Sequence, residues 1–179
     1  MAKKYKNYDA VMEYAKNIIS GKTIANKYRI IGCQRFIDDL NNTEYDFKPG
    51  DAEFVIQIIE STFCHAQGEM LDGTPLQGKP FLLTDFHKFI VYNLLSFFQK
   101  GTKIRRFKEA FIYMPRKNIK TSFAAALAWG LGLLNRKSGS KVYITSAALT
   151  QSLERWNFIK WNINNMGKGD SIKIIDNNK

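Results

Sequence analysis

Cysteine, histidine and long apolar runs are all scarce in this chain. Two cysteines (Cys33, Cys64) and two histidines (His65, His87) are present. That is too few cysteines for a disulfide framework, and Cys33 and Cys64 have no metal-ligand spacing. The longest apolar stretch, Phe123–Leu134, falls short of the roughly 18 residues that a membrane-spanning helix requires. Lys3, Lys4 and Lys6 begin the chain as a signal peptide would, but no apolar core follows them. Acidic side chains are the minority, with 16 Asp+Glu against 27 Lys+Arg and a net charge of +11. What is plentiful excludes wholesale disorder: 45% of the 179 residues are hydrophobic and 13% aromatic. Such a chain can build a core, in one domain with a small appendage. The expectation is a soluble, intracellular globular protein with no membrane partner.

An excess of cations of this size favours a polyanionic partner, nucleic acid above all. Lys100, Lys103, Arg105, Arg106, Lys108, Arg116, Lys117 and Lys120 crowd one stretch of sequence and are opposed there only by Glu109. Two readings stay open: a face for nucleic acid, or a solvated basic surface.

The first part of the chain reads as helical. Asn7 to Ser20 carries spaced Val11, Tyr14 and Ile18 and stops at Gly21. Asn26 to Asn41 carries Ile30, Ile31, Phe36, Ile37 and Leu40. After the turn Pro49–Gly50–Asp51, with Asp51 as N-cap, Phe54, Val55, Ile58, Ile59 and Phe63 form an amphipathic stripe. Glycine and proline mark 68–80 as a loop, and a boundary is expected there, with a helical region over 1–77 and a second region over 78–179. Thr84–Asp85 then precede a strongly apolar helix from Phe86 to Gln99.

Beyond Gly101 the pattern becomes strand, loop, helix, strand. Glu109–Met114 suits an internal strand, Pro115–Ile119 is a basic loop, Thr121–Leu134 is an Ala-rich helix apolar all round, and Lys141–Ala147 is β-branched. Thr150 caps a further helix bearing Leu153, Trp156, Ile159 and Ile163, and Ser171–Ile175 reads as another strand. Strands and helix without a polar face imply an α/β fold, a parallel sheet flanked by helices. Cys64–His65 lacks a third partner for thiol chemistry and reads as structural. Of the tryptophans, Trp129 and Trp156 read as packing residues, and Trp161 stays open as a base-stacking candidate.

Where the first of these strands turns into a helix, the sequence is Met114-Pro-Arg-Lys-Asn-Ile-Lys-Thr121. A Walker A loop, G-x-x-x-x-G-K-[ST], occupies that context, because backbone N–H groups at a helix start surround phosphate while the Lys and the hydroxyl hold phosphate and Mg²⁺. Lys120 and Thr121 take the last two places; Met114 and Ile119 stand where the glycines belong. A Lys-Thr pair at a helix start also arises without a ligand. A positive φ at Ile119, the place of the second glycine, is expected to cost about 1–2 kcal/mol.

The wider stretch from Arg106 to Ala128, with its apolar strand, Pro-Arg-Lys-Asn-Ile-Lys-Thr and Ala-rich helix, resembles the ATPase centre of the large terminase subunits of tailed bacteriophages. Lys141–Gln151 is similar to that family's second strand and Gln-bearing helix start, and Gly78–Ile90 to its adenine-side segment. The likeness extends over nearly the whole chain and is strongest between Phe107 and Gln151. It implies a P-loop NTPase-type parallel sheet with a small helical N-terminal appendage, and ATP and Mg²⁺ as cofactors. It implies a nucleotide site at Pro115, Arg116, Lys117, Asn118, Ile119, Lys120, Thr121 and Ser122, with Phe86 and His87 at the base. In that site Arg116 and Lys120 are catalytic and Thr121 holds the metal. His87 stands where the family carries Gln; on its own it reads as a helix-surface residue.

The resemblance further implies an ATPase that drives double-stranded DNA into a procapsid in the host cell cytoplasm. The implied partners are the portal, the small terminase subunit and, in a ring, further copies of the chain. A Walker B strand ending in Asp-Glu and a nuclease domain belong to the family pattern and do not follow Thr121 in this sequence. The expectation is therefore an incomplete ATPase domain from a longer protein, with hydrolysis incomplete in this chain alone. Two other classes fit the same residues: a non-catalytic basic nucleic-acid-binding domain, and another P-loop translocase of helicase type.

Overall fold

The computed structural model describes residues 5–70, 72–115, 119–135, 139–166 and 172–175. Among these residues it is an α/β protein with six helices and one two-stranded antiparallel sheet. In chain order the elements are α1 (Tyr8–Ile19), α2 (Lys27–Leu40), β1 (Tyr45–Phe47), α3 (Gly50–Thr62), α4 (Asp85–Leu95), β2 (Phe97–Gln99), α5 (Lys120–Leu134) and α6 (Leu149–Asn165). The chain divides into two compact units, Met1–Ile56 with Leu83–Ile112 and Gln57–Leu82 with Tyr113–Lys179. These are not the consecutive stretches 1–77 and 78–179, because the chain leaves the first unit within α3 and returns to it at Leu83.

The first unit is built on aromatic packing. The periodic residues of α1 (Val11, Ala15, Ile18) are fully buried, and α1 packs against α2 and α4. Asn26 starts α2, its side-chain oxygen accepting from the Arg29 backbone N–H at 3.0 Å. Phe36, with no exposed surface, meets the rings of Phe89 at 5.3 Å, Phe97 at 5.6 Å and Phe47 at 6.2 Å, all edge-on.

The apolar run expected as one helix from Phe86 to Gln99 divides instead. α4 ends at Leu95, Ser96 caps it, and Phe97–Gln99 pairs antiparallel with Tyr45–Phe47. Hydrophobicity alone does not distinguish a buried helical turn from a short buried strand. Here the partner decides: the Lys48 N–H bonds the Ser96 carbonyl at 2.7 Å, and a turn at Gly101, φ +69°, brings the Arg106 N–H back to the Phe97 carbonyl at 2.9 Å.

Two carboxylates in this unit are answered by groups distant in sequence. Glu53 accepts from the Asn7 backbone at 2.8 Å, from the Asn7 side chain at 2.9 Å and from the Tyr92 hydroxyl. Burial, and then the Glu53 carboxylate, push the Tyr92 phenol well above its usual range. Asp39, 6% exposed, is paired with Arg106, whose guanidinium lies 4.1 Å from the Tyr45 ring centroid.

The second unit has a helical core. α5 buries Phe123, Ala125, Ala126, Leu127 and Gly130 and packs on α6, which buries Phe158, Ile159, Asn162 and Ile163. Phe63 and Phe81 close the same core against the Phe158 ring, at 5.4 and 5.7 Å. Asn162 is a buried bracket: its oxygen accepts from the Cys64 N–H at 2.7 Å and its amide donates to the Phe158 carbonyl at 3.0 Å. The segment expected as a loop over 68–80 is tied down by backbone bonds, among them Phe81 N–H to Phe63 carbonyl and Leu76 N–H to Gly68 carbonyl, both 2.8 Å.

Three expected strands are not formed among the described residues. Residues 109–115, 139–146 and 173–175 carry no ladder, and Ser171 lies outside the described residues. Phe111 is 92% exposed and Tyr143 78%. β-branched and aromatic composition measures how well side chains suit a sheet surface; a strand also needs a neighbour to take its N–H and C=O groups. Along 139–148, Val142 approaches α5 at Gly132, where a Cβ would stand 3.4 Å from the valine methyl.

Candidate functional site

At the start of α5 the second unit contains a cavity of about 530 Å³, lined by Pro115, Ile119, Lys120, Thr121, Ser122, Gln151, Glu154 and Arg155. Five of the sequence-selected loop residues therefore share one hollow: Pro115, Ile119, Lys120, Thr121 and Ser122. Arg116, Lys117 and Asn118 lie outside the described residues.

The backbone at the hollow's edge is strained. Ile119 adopts φ 57°, ψ 13°, the only left-handed conformation of a non-glycine residue among the described residues. A β-branched residue there is a steric outlier costing about 1–2 kcal/mol. Ile119 precedes the Lys-Thr pair, at the position where a phosphate loop uses glycine for this freedom. The first helical bond, Phe123 N–H to Ile119 carbonyl at 2.9 Å, begins only after it.

Among the described residues, no side-chain cap closes the start of α5 or that of α6, in contrast with α2 and α4, capped by Asn26 and Thr84. The N–H groups of Lys120, Thr121 and Ser122 are the orphan donors of a helix start, carrying its partial positive charge.

The opposite wall comes from α6. Gln151, Glu154 and Arg155 stand at i, i+3 and i+4, one helical face, and all three line the cavity. Arg155 donates back to the Gln151 carbonyl at 3.0 Å, which holds its guanidinium along that face. Sequence reasoning selected Gln151 only through resemblance and did not select Glu154 or Arg155. The available signal was polar spacing on the face of α6 away from Trp156, Ile159 and Ile163. The hollow combines two cations, two hydroxyls, an amide, a carboxylate and a helix start, a set suited to phosphate oxygens with a hydrated metal ion.

Phe86 and His87 belong to the first unit and are engaged there. Phe86 is half-buried, packs against Tyr14 at 6.3 Å and carries the Arg29 guanidinium 5.0 Å from its ring centroid. His87 is not on the helix surface. It is 6% exposed, with Nδ1 2.7 Å from the hydroxyl of Thr84, the residue that caps α4. Burial lowers its pKa below the ordinary histidine value.

The basic stretch from Lys100 to Lys120 is opposed in space by more than Glu109. Lys100 pairs with Asp46 at 3.1 Å, Arg105 with Asp51 at 3.0 Å, and Arg106 with Asp39. Lys48 also holds Asp46, at 2.9 Å, and these cations keep that carboxyl well below its usual range. Three of the eight cations are thus committed within the first unit, a pairing invisible in sequence because the acids come from α2, β1 and α3.

Among the described residues there is no cluster of His, Cys, Asp and Glu suited to an all-protein metal site. Nor is any described helix long and apolar enough to cross a membrane. Compared with known protein families, curated proteins and solved structures, the chain matches none.

Proposed function

We propose that the start of α5 is a nucleoside-triphosphate site of the phosphate-loop kind, and that the protein is part of an ATP-driven motor that packages DNA, of the terminase large-subunit type. The single observation that carries this reading is the left-handed Ile119 directly before Lys120 and Thr121, at the mouth of a cavity of about 530 Å³. Strain of this kind persists where the surrounding structure holds it, and it gathers at ligand sites. The volume lies within the range of small-molecule pockets.

The residues present fit Mg-ATP. Lys120 and the first-turn N–H groups would hold β- and γ-phosphate oxygens, and Thr121, with Ser122 beside it, would supply the hydroxyl for Mg²⁺. When bound, the metal neutralises charge on the phosphates. Arg155 adds a cation from the facing helix, in the role that the resemblance gives to Arg116. The parallel sheet of a P-loop domain belongs to this proposal and follows from the resemblance alone.

Double-stranded DNA is the proposed polyanionic partner, with portal, small subunit and ring assembly following from the resemblance. The reading as a non-catalytic basic module is weaker, because Lys100, Arg105 and Arg106 are paired internally. A helicase-type translocase would use the same phosphate site.

Thermal denaturation tests the proposal. Mg-ATP should raise Tm by several degrees at saturation, and Lys120→Ala should remove that rise while leaving the ligand-free Tm within about 2 °C, as expected for an exposed side chain. No rise in the unaltered protein would refute the site. For the DNA partner, affinity for duplex DNA should fall by orders of magnitude between about 50 and 200 mM salt.

A further inference from the structure

We infer that the cavity recognises a polyphosphate chain and does not read the nucleobase, so that its ligands extend from any nucleoside triphosphate to inorganic tripolyphosphate. The inference rests on the phosphate-loop reading and specifies what that site selects.

The lining is the first support. Lys120 and Arg155 bring two cations from two helices, Thr121 and Ser122 bring hydroxyls, and Gln151 brings an amide. These groups match phosphate oxygens and a hydrated metal, and the cations do so with charge-assisted bonds. A base subsite is an apolar or aromatic slot with a few fixed polar groups. The apolar lining among the described residues is Pro115 and Ile119, and Ile119 is the strained loop residue itself.

The second support comes from the two side chains that the resemblance assigns to the base. Phe86 has the Arg29 guanidinium over its ring at 5.0 Å, a contact that a stacked purine would have to displace. His87 is 6% exposed and would have to give up its 2.7 Å contact with the Thr84 hydroxyl to offer Nδ1 to an adenine edge. Discrimination of 10⁴ or more between ligands arises where buried polar groups would be left unpaired by the wrong one. Phe86, under the Arg29 guanidinium, and Nδ1 of His87, at the Thr84 hydroxyl, are instead engaged within the first unit with no base present.

Thermal-shift titration of the full chain with Mg²⁺ and, separately, ATP, GTP, CTP and tripolyphosphate tests this. All four should raise Tm, with apparent Kd values within about threefold of one another, and Lys120→Ala should abolish all four responses. ATP binding more than about tenfold tighter than GTP and tripolyphosphate would overturn the inference and leave the phosphate-loop reading standing. Silence from all four ligands would overturn both. Responses that survive Lys120→Ala would locate the anion elsewhere on the basic surface and also overturn it. Phe86→Leu provides a ratio that is insensitive to partial misfolding: the ATP to tripolyphosphate Kd ratio should stay unchanged, and a drop in ATP affinity alone would place the base on Phe86.

Discussion

The two units handle charge in opposite ways. In the first, acids and cations distant in sequence close on one another: Asp39 with Arg106, Asp51 with Arg105, Asp46 with Lys48 and Lys100. Backbone and side chain of Asn7, together with the Tyr92 hydroxyl, satisfy Glu53. In the second, Lys120, Glu154 and Arg155 face a shared hollow, no ion pair among the described residues ties them together, and the backbone beside them is strained at Ile119. Polar groups that satisfy each other stabilise a fold, whereas polar groups held around an open space, at a cost in strain, are arranged for something that enters it. The proposed ligand site accordingly lies in the second unit, where the cavity is.

The largest expected effect tests the closed half. Asp39→Ala leaves Arg106, whose side chain is 19% exposed, without its carboxylate. Breaking such a pair costs about 3–5 kcal/mol. Tm should fall by roughly 10 °C or more, while the Mg-ATP response of the protein that remains folded is unchanged. A fall in nucleotide response at temperatures well below the transition would mean that the two units do not divide the work as described.

Ile119→Gly tests the open half. It removes strain of about 1–2 kcal/mol and introduces a glycine entropy cost of about 0.5–1 kcal/mol. Stability should therefore rise by up to about 1.5 kcal/mol, and nucleotide should bind more tightly. Weaker or unchanged binding, by titration calorimetry, would show that the left-handed residue has no part in holding phosphate.

Glu154→Gln has a smaller effect. The carboxylate opposes a metal-free triphosphate in the same hollow, by about 1 kcal/mol at a few ångströms in a water-like dielectric. Removing it should strengthen binding in EDTA several-fold and alter binding in excess Mg²⁺ far less. Equal changes in both conditions would place Glu154 outside the field of the bound anion.

The two histidines refine the comparison, one in each unit. Burial lowers both His65 and His87 below the usual value near 6.5. As pH falls below about 6.5 the unfolded chain takes up these protons first, so stability is complete above that pH and declines toward the lower folded-state values. His87→Gln and His65→Gln should each flatten part of the Tm–pH slope between about pH 6.5 and 5. The greater share should come from His87, the more deeply buried of the two. A slope unaffected by either change would assign the acid sensitivity to carboxylates such as Asp46, whose lowered pKa contributes only at more acidic pH.

Local periodicity and punctuation were legible without coordinates. Val11 and Ile18 on a buried face, and the Ala-rich α5 after a basic loop, each follow from interactions within a few residues, whereas Asp51 and Thr150, expected as caps, lie inside α3 and α6. Lys120 and Thr121 at a helix start were legible for the same reason. Tertiary partners decided the rest. Phe97–Gln99 is a strand because Tyr45–Phe47 lies beside it. Residues 109–114 form no strand because no ladder partner lies beside them among the described residues. Arg106 is neutralised by Asp39 across a long sequence separation. Glu154 and Arg155 join the hollow because α6 packs on α5. Helical spacing, caps and loop chemistry act over a single turn of chain and are written in order. Pairing, burial of charge and the composition of a cavity wall depend on which distant segments meet, and that is settled only when the chain folds.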